Sequence, residues 1–545
     1  MCAIFLVIVY IISFYFYMFS DRSIILNTCV ILHINQLSAT AVTKPPEEIS
    51  FDAWKTILIL SGTIVIFLYL NTAMSPALPS IAEDFQISTS LSSWVMTSYM
   101  VCGAVMTVIM GRLSDLIGAK KMLMIMMVCF TVGTILAPFA PNISTLLALR
   151  VLQGIAVAST PISTKLIRDK VPISKFPIGL SIYLSAYSGG MALGAVLGPV
   201  VAASAGWQGN FYFCAPIAVV LLFVCWKFIH SDESKKIHEH DLADKESSSD
   251  IPTKAKKQDK KLDIDFIGII TLTVTLVSFL IAITFSGSIT TNLVAFVVPL
   301  IIGVISLVLF IKVEKRVKSP LVNLKLVFHP VILTGNIMML MFGILQYFII
   351  TGIPQLGSAP PPSGLGLDPL KVGFLQLAFG LSMMIFGPVF GLIMVRRRGL
   401  NLKLLVPGIL ITAISFSLLL FFHSTSQAVN AALFVFGIAG ALLPMTLNNT
   451  NILFTPKEYT GISSAATNMM RIVGGAIGPV MTTVILASVT VSASVDNVAK
   501  SYPSPVTFNI LFGVGVAMSI ACVFLAIRMK RLATKMVPLT AKEIT

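Results

Sequence analysis

Two arginines stand where charge is expensive. Arg150 lies in an apolar run at 145–165 and Arg471 sits about three turns into another at 460–489. A guanidinium in a hydrocarbon layer persists only where it is paired, hydrated or at work. It can attract an organic anion, respond to a proton through water or brace neighbouring helices, and Arg150, near the end of its run, can also snorkel to the interface. An embedded acidic mate is missing: the 23 Asp and Glu residues avoid the run interiors, with Asp169, Asp263, Asp265, Asp368 and Glu458 in links or at run edges. Proton coupling ordinarily uses an embedded carboxylate. Coupling in this chain therefore calls for an edge acid, an arginine acting through water, or another ion. The neutral polar residues Asn71, Tyr99, Gln153, Asn336, Gln346, Gln376 and Asn468 share the runs, each suited equally to lining a cavity or joining helices. Paired catalytic carboxylates, a nucleophile arrangement and a phosphate-cradling loop are not apparent, so the chain reads as no enzyme, with no cofactor. The seven cysteines are scattered without metal-ligand spacing and read as structural filling.

The elements that must position these residues are membrane helices. The chain of 545 residues is 56% hydrophobic and 11% charged, with mean hydropathy +0.92, and a soluble protein would carry about twice that charge. Apolar runs recur at 55–79, 91–110, 122–140, 145–165, 176–203, 209–229, 265–286, 292–311, 331–353, 371–395, 402–422, 427–450, 460–489 and 506–527. These fourteen spans predict an all-α, polytopic membrane protein. Taking the basic link 111–121 as cytoplasmic, alternation places 31 of the 38 lysines and arginines on that side and two, Lys371 and Lys500, on the other. A single missed span would invert that asymmetry. The net charge of +15 is thereby explained by topology, without a nucleic-acid partner.

Residues 1–54 form an N-terminal extension in which 1–19 read as an extra apolar helix or a signal-like segment lacking its basic front. A six-helix half at 55–229 precedes a cytoplasmic linker at 230–264, whose lysines between Lys254 and Lys261 suit anionic lipid headgroups. An inserted helix pair with its connecting loop occupies 265–330, a second six-helix half 331–527 and a cytoplasmic tail 528–545. The halves echo each other: Gly154-Ile155-Ala156 with Pro161 corresponds to Gly437-Ile438-Ala439 with Pro444 at equal spacing. Repeated halves build a central site and let it face either side.

Several ordered motifs resemble the major facilitator superfamily in its fourteen-helix drug:proton antiporter branch. Gly111, Asp115, Gly118, Lys120 and Lys121 look like its signature between the second and third helices, and Arg150-Val151-Leu152-Gln153-Gly154 like its embedded arginine motif. Gly190, Gly194 and Gly198, followed by Trp207, resemble the antiporter motif, and two more stretches fit, 315–321 and 471–478. The resemblance covers roughly 55–530 and implies a gating role for the Gly111 to Lys121 group. Departures bear on coupling: Leu70 stands where the branch commonly has an acid, beside Asn71, and Gln208 replaces the arginine after the tryptophan.

The expected function is a secondary transporter of the cell membrane exporting small amphipathic or hydrophobic organic compounds by alternating access, with protons as a candidate coupling ion. Arg150, Gln153, Asn71 and Arg471 are expected at the substrate or coupling site. Gly190, Gly194 and Gly198, on one helix face, are expected to pack closely, at an interface between the halves. Membrane lipids are expected partners, and a monomer the functional unit. Uniport or uptake of an anionic solute is the alternative, and a non-transporting receptor or scaffold the reading from another class.

Overall fold

The computed structural model describes residues 49–172, 175–229, 266–286, 293–317, 324–396, 401–456, 460–495 and 498–535. The expected helix at 1–19, the linker 230–264 and residues 536–545 of the tail lie outside these. With no water in hydrocarbon to satisfy backbone groups, apolar runs must close their hydrogen bonds internally, and they do so as helices. The long ones are α1 (Phe51–Ala73), α2 (Trp94–Leu116), α3 (Ala119–Leu136), α4 (Ile143–Gly154) and α5 (Ser159–Lys170). Next come α6 (Phe176–Phe228), α7 (Phe266–Thr284), α8 (Leu293–Glu314), α9 (Pro330–Ser358) and α10 (Pro369–Arg396). The series ends with α11 (Asn401–Phe422), α12 (Ser426–Leu453), α13 (Thr460–Ala487) and α14 (Pro505–Lys535). Joined by the 3-10 turn Ile155–Ala158, α4 and α5 make one span, whereas α6 makes two, broken at Ala205 and at Gly206, whose φ is +67°. Among the described residues twelve helical stretches are long and apolar enough to cross a membrane, with α6 counted once; dividing α6 at its break and adding α2, whose apolar part is Trp94–Thr107, makes the fourteen expected segments.

Three boundaries correct the sequence reading. The first span ends at Ala73, not 79, because Pro76 has no N–H for the next helical bond and the chain passes through tight turns, Ser75 to Thr72 and Ala77 to Met74, instead; a short helix, Leu78–Asp84, follows with a proline in its first turn. The basic link is mostly helix, since α2 continues to Leu116 and the chain turns only at Ile117 and Gly118. Gly118 has φ +105°, a conformation that favours glycine. Between α13 and α14, read as a bare link, stands a two-stranded antiparallel hairpin, Thr490–Val495 with Val498–Pro503, so among the described residues the fold is all-α but for this hairpin. Its alternating Val and Ser residues suit a strand better than a loop.

The helices α1 to α6 and α9 to α14 form two halves that meet along two seams, α6 on α10 and α2 on α13. The pair α7 and α8 packs on itself and leans on α2 and α13 through α7. Its outward face carries exposed Leu293, Val294, Val298, Ile301 and Ile305, as expected of helices facing lipid tails.

Candidate functional site

The two halves are tied together in the half of the membrane away from the basic loops. Pro354, inside α9, cannot donate to the carbonyl of Ile350 one turn earlier. That carbonyl instead accepts from the Ser75 hydroxyl at 2.6 Å and the Gln376 amide at 2.8 Å, so one vacated acceptor joins α9 to α10 and to the end of α1. On the second seam Thr97 of α2 donates to the carbonyl of Ala476 in α13 at 3.1 Å. Between these lies Tyr347. A side chain on Gly475 would collide with its ring and one on Gly478 with its Cβ, its hydroxyl accepts from Asn71 at 2.8 Å, and it donates to the Met100 sulfur at 3.5 Å.

Just inside this closure lies Arg471. Ser464, Asn468 and Arg471 recur at helical spacing on one face of α13 and are partly exposed, as is Tyr187 of α6. Arg471 donates through Nη1 to the Tyr187 hydroxyl at 3.0 Å and to Gln346 Oε1 at 3.4 Å, and through Nη2 to Asn468 Oδ1 at 3.2 Å. Its guanidinium carbon lies 5.4 Å from the centroid of the Tyr187 ring. All these partners are neutral, so among the described residues the guanidinium has no acidic partner and is flanked by an aromatic face and two amides. Such a site can hold a polar or anionic group while the aromatic ring receives apolar surface.

Arg150 is placed differently. It is wholly buried, donates through Nε to the Val95 carbonyl at 2.9 Å and through Nη1 to Gln153 Oε1 at 2.6 Å, and lies over the Tyr99 ring at 4.6 Å. Gln153 in turn donates to Thr134 at 3.3 Å. This chain of contacts binds α2, α3 and α4 to one another inside a single half. Asn336 is likewise occupied within the other half, accepting from Asn451 at 3.1 Å and from Thr467 at 3.0 Å.

Gly190, Gly194 and Gly198 do pack closely, but within one half and not between the two. A side chain on any of them would strike the backbone of Val65, Tyr69 or Ala73, all in α1. The cross-half seam uses the neighbouring face of α6, where Ala192, Ala195 and Val196 meet Gly373 and Gly380 of α10. The physical reason is the helical turn: residues two positions away from a glycine stripe point elsewhere. Trp207, just past the break in α6, is anchored by donating to Asp84 Oδ2 at 2.8 Å.

At the expected gate, the side chains of Gly111, Arg112 and Asp115 lie outside the described set. Lys120 and Lys121 open α3. Lys165 of α5 reaches across 2.8 Å to the Ser114 carbonyl, one of those left over at the end of α2. Sequence reasoning overlooked this lysine, together with Ser75, Tyr187 and Tyr347. The one available signal was Pro354, which marks the carbonyl four residues earlier as unpaired.

The family model described as Major Facilitator Superfamily matches residues 60–479. The chain is 26% identical to the "Multidrug efflux pump LfrA" of Mycolicibacterium smegmatis over 78% of its own length and 79% of that protein's. It is 24% identical to the "Methyl viologen resistance protein SmvA" of Salmonella typhimurium, over 78% of this chain and 81% of the other. Among solved structures, the human organic anion transporter MFSD10 (TETRAN) superposes with a TM-score of 0.56 at 14% identity, covering 89% of this chain and all of that one, a likeness of fold.

Proposed function

The chain belongs to the Major Facilitator Superfamily, and from that premise we propose that this multi-pass membrane transporter exports small amphipathic organic compounds from the cell by alternating access. The observation that carries the reading is the position of Arg471. It is partly exposed near the middle of α13, bonded across the halves to Tyr187, with Tyr347 packed against Gly475 and Gly478 one to two turns further along the same helix. With the basic loops cytoplasmic, this is a conformation closed to the outside, with its site reachable from within.

A substrate arriving from the cytoplasm or inner leaflet places its polar group against Arg471, Asn468 and Gln346 and its apolar part against Tyr187. The halves then rock, the bonds from Ser75, Asn71 and Thr97 break, and the outer path opens. Gly111, Asp115, Gly118, Lys120 and Lys121 close the cytoplasmic side in that second state. Arg150 and Gln153 keep α2, α3 and α4 together while they move. The efflux pumps among the relatives support the export direction, and proton exchange is the coupling to test.

The experiment is transport by purified protein in liposomes, with dyes and organic anions, with and without an imposed proton gradient. Accumulation in acid-inside vesicles that collapses with a protonophore supports proton-driven exchange. Saturable flux indifferent to the gradient yet dependent on Arg471 favours the second reading, uniport of an organic anion, which the guanidinium, with no acidic partner among the described residues, recommends. Absence of any saturable flux across the panel would count against both.

A further inference from the structure

A cavity of about 360 Å³ lies between α7, α8 and the seam of α2 with α13. We propose that it binds one acyl chain of an outer-leaflet phospholipid, holding the two halves together where they close. Its walls are hydrocarbon almost throughout, with Val101 and Ala104 from α2, Phe279 from α7, Leu300 from α8 and Val473 from α13. The cavity is large enough for a small molecule. A drug-like ligand, however, is oriented by a few fixed polar groups, and among the described lining residues the single polar side chain is Ser286, at the end nearest the outer surface. Water has no partners in such a space. The medium outside α8, to judge from its exposed Leu293, Val294 and Val298, is lipid tails.

The depth also fits. Ala104 lies ten residues into α2 from Trp94, a descent of about 15 Å at the helical rise, close to half the hydrocarbon thickness. A chain entering near Ser286 and ending at Ala104 thus lies as an outer-leaflet tail lies. Trp94 marks the interfacial end, donating its indole N–H to Thr284 of α7 at 3.0 Å. The chain's contacts fall on α2 from one half and α13 from the other, beside the bond from Thr97 to Ala476. Moving the halves apart at this seam would divide the site, so occupancy favours the conformation closed to the outside. That last step rests on the alternating-access reading; the binding does not.

The test uses full-length protein in nanodiscs of phosphatidylcholine doped with a phosphatidylcholine bearing a mid-chain diazirine, followed by photolysis and peptide mass spectrometry. Label is expected on the peptides holding Val101, Ala104 and Phe279. Two cavity-filling substitutions, A104L and L300W, are each expected to reduce it about tenfold, the loss that two chain methylenes denied their contacts amount to. L300W fills from the lipid side and keeps the test valid if A104L does not fold. Undiminished labelling in a folded filled variant would mean ordinary contact with bulk lipid and would overturn the site. Label displaced by an exported dye but not by excess unlabelled phosphatidylcholine would mark a substrate pocket and would overturn it equally. Transport need not be measured, so the result stands apart from the fate of the export reading.

Discussion

The Ser75 hydroxyl donates to the carbonyl of Ile350 across 2.6 Å, joining the end of α1 to the interior of α9 at a point where Pro354 has left the helix ladder open. A proline usually weakens the helix that contains it. Here the lost internal bond becomes an acceptor for the opposite half, and Gln376 shares it from α10.

Removing that hydroxyl should loosen the outer closure. S75A is expected to cost about 0.5–1.5 kcal/mol of the closed state, the net worth of one hydrogen bond, a shift of about two- to tenfold in its population. P354A, which restores a helix donor for Ile350, should shift the balance in the same direction. Distances between spin labels at the exposed outer positions Gln86 and Ser358 would read it; an unchanged distribution in both variants would remove the latch from the mechanism.

Arg471 should be required for transport and dispensable for folding. In R471A we expect saturable flux to fall at least about tenfold, an effect of about 1.4 kcal/mol on the rate-limiting barrier, with a normal elution profile and unfolding temperature. R471K keeps the charge but loses the fork that reaches Tyr187 and Asn468 together, and should recover only part of the flux. Full activity in R471A would move the site elsewhere.

Arg150 should behave in the opposite way. Q153L strips Nη1 of its acceptor at 2.6 Å, and leaving part of a buried charged group unsatisfied costs about 1–3 kcal/mol or more. Thermal unfolding in detergent should therefore drop clearly, with the protein that remains folded transporting at close to its original rate. Lost turnover without lost stability would assign Gln153 a direct part in coupling.

Gly194 faces the Tyr69 carbonyl too closely for any Cβ. G194A should force α1 and α6 apart and destabilise by about 1–3 kcal/mol, the range for overpacking. Gly513, with open space around it, is the control: G513A should leave the unfolding temperature unchanged. Equal behaviour of the two variants in a melting curve would contradict the packing described.

At the cytoplasmic end, D115N should lower turnover while expression and membrane insertion persist, because a neutral amide makes a weaker bond to a basic partner than a carboxylate does. Initial rates in liposomes, normalised to protein inserted, decide it. Unchanged turnover would leave this stretch with a topological role alone.

Much of the fold was legible because hydrocarbon imposes simple rules on sequence. Length and apolarity located the spans, and a break in either would have spoiled the asymmetry of basic residues across the links. Arg471 stood out in the sequence because an embedded charge is costly, whereas the left-handed backbone of Gly118 emerged only with the structure. The hairpin after α13 was hidden because its short strands satisfy each other only by pairing. The difference in surroundings between Arg150 and Arg471 was hidden as well. Both are arginines in apolar helices, and only the neighbours brought by other helices bury one and leave the other partly exposed.

The sequence by itself determined the helical, multi-pass character of the chain and where its apolar spans lie, because these depend on transfer of each segment between water and hydrocarbon. Which residues meet was decided only by tertiary structure. Ser75 and Ile350, or Tyr187 and Arg471, lie hundreds of positions apart, and their contact depends on how whole helices lean on one another. The glycine stripe shows the difference plainly. Its spacing announced close packing, but the rotation of α6 decided that α1 would be the neighbour and left the seam between the halves to alanines one face away.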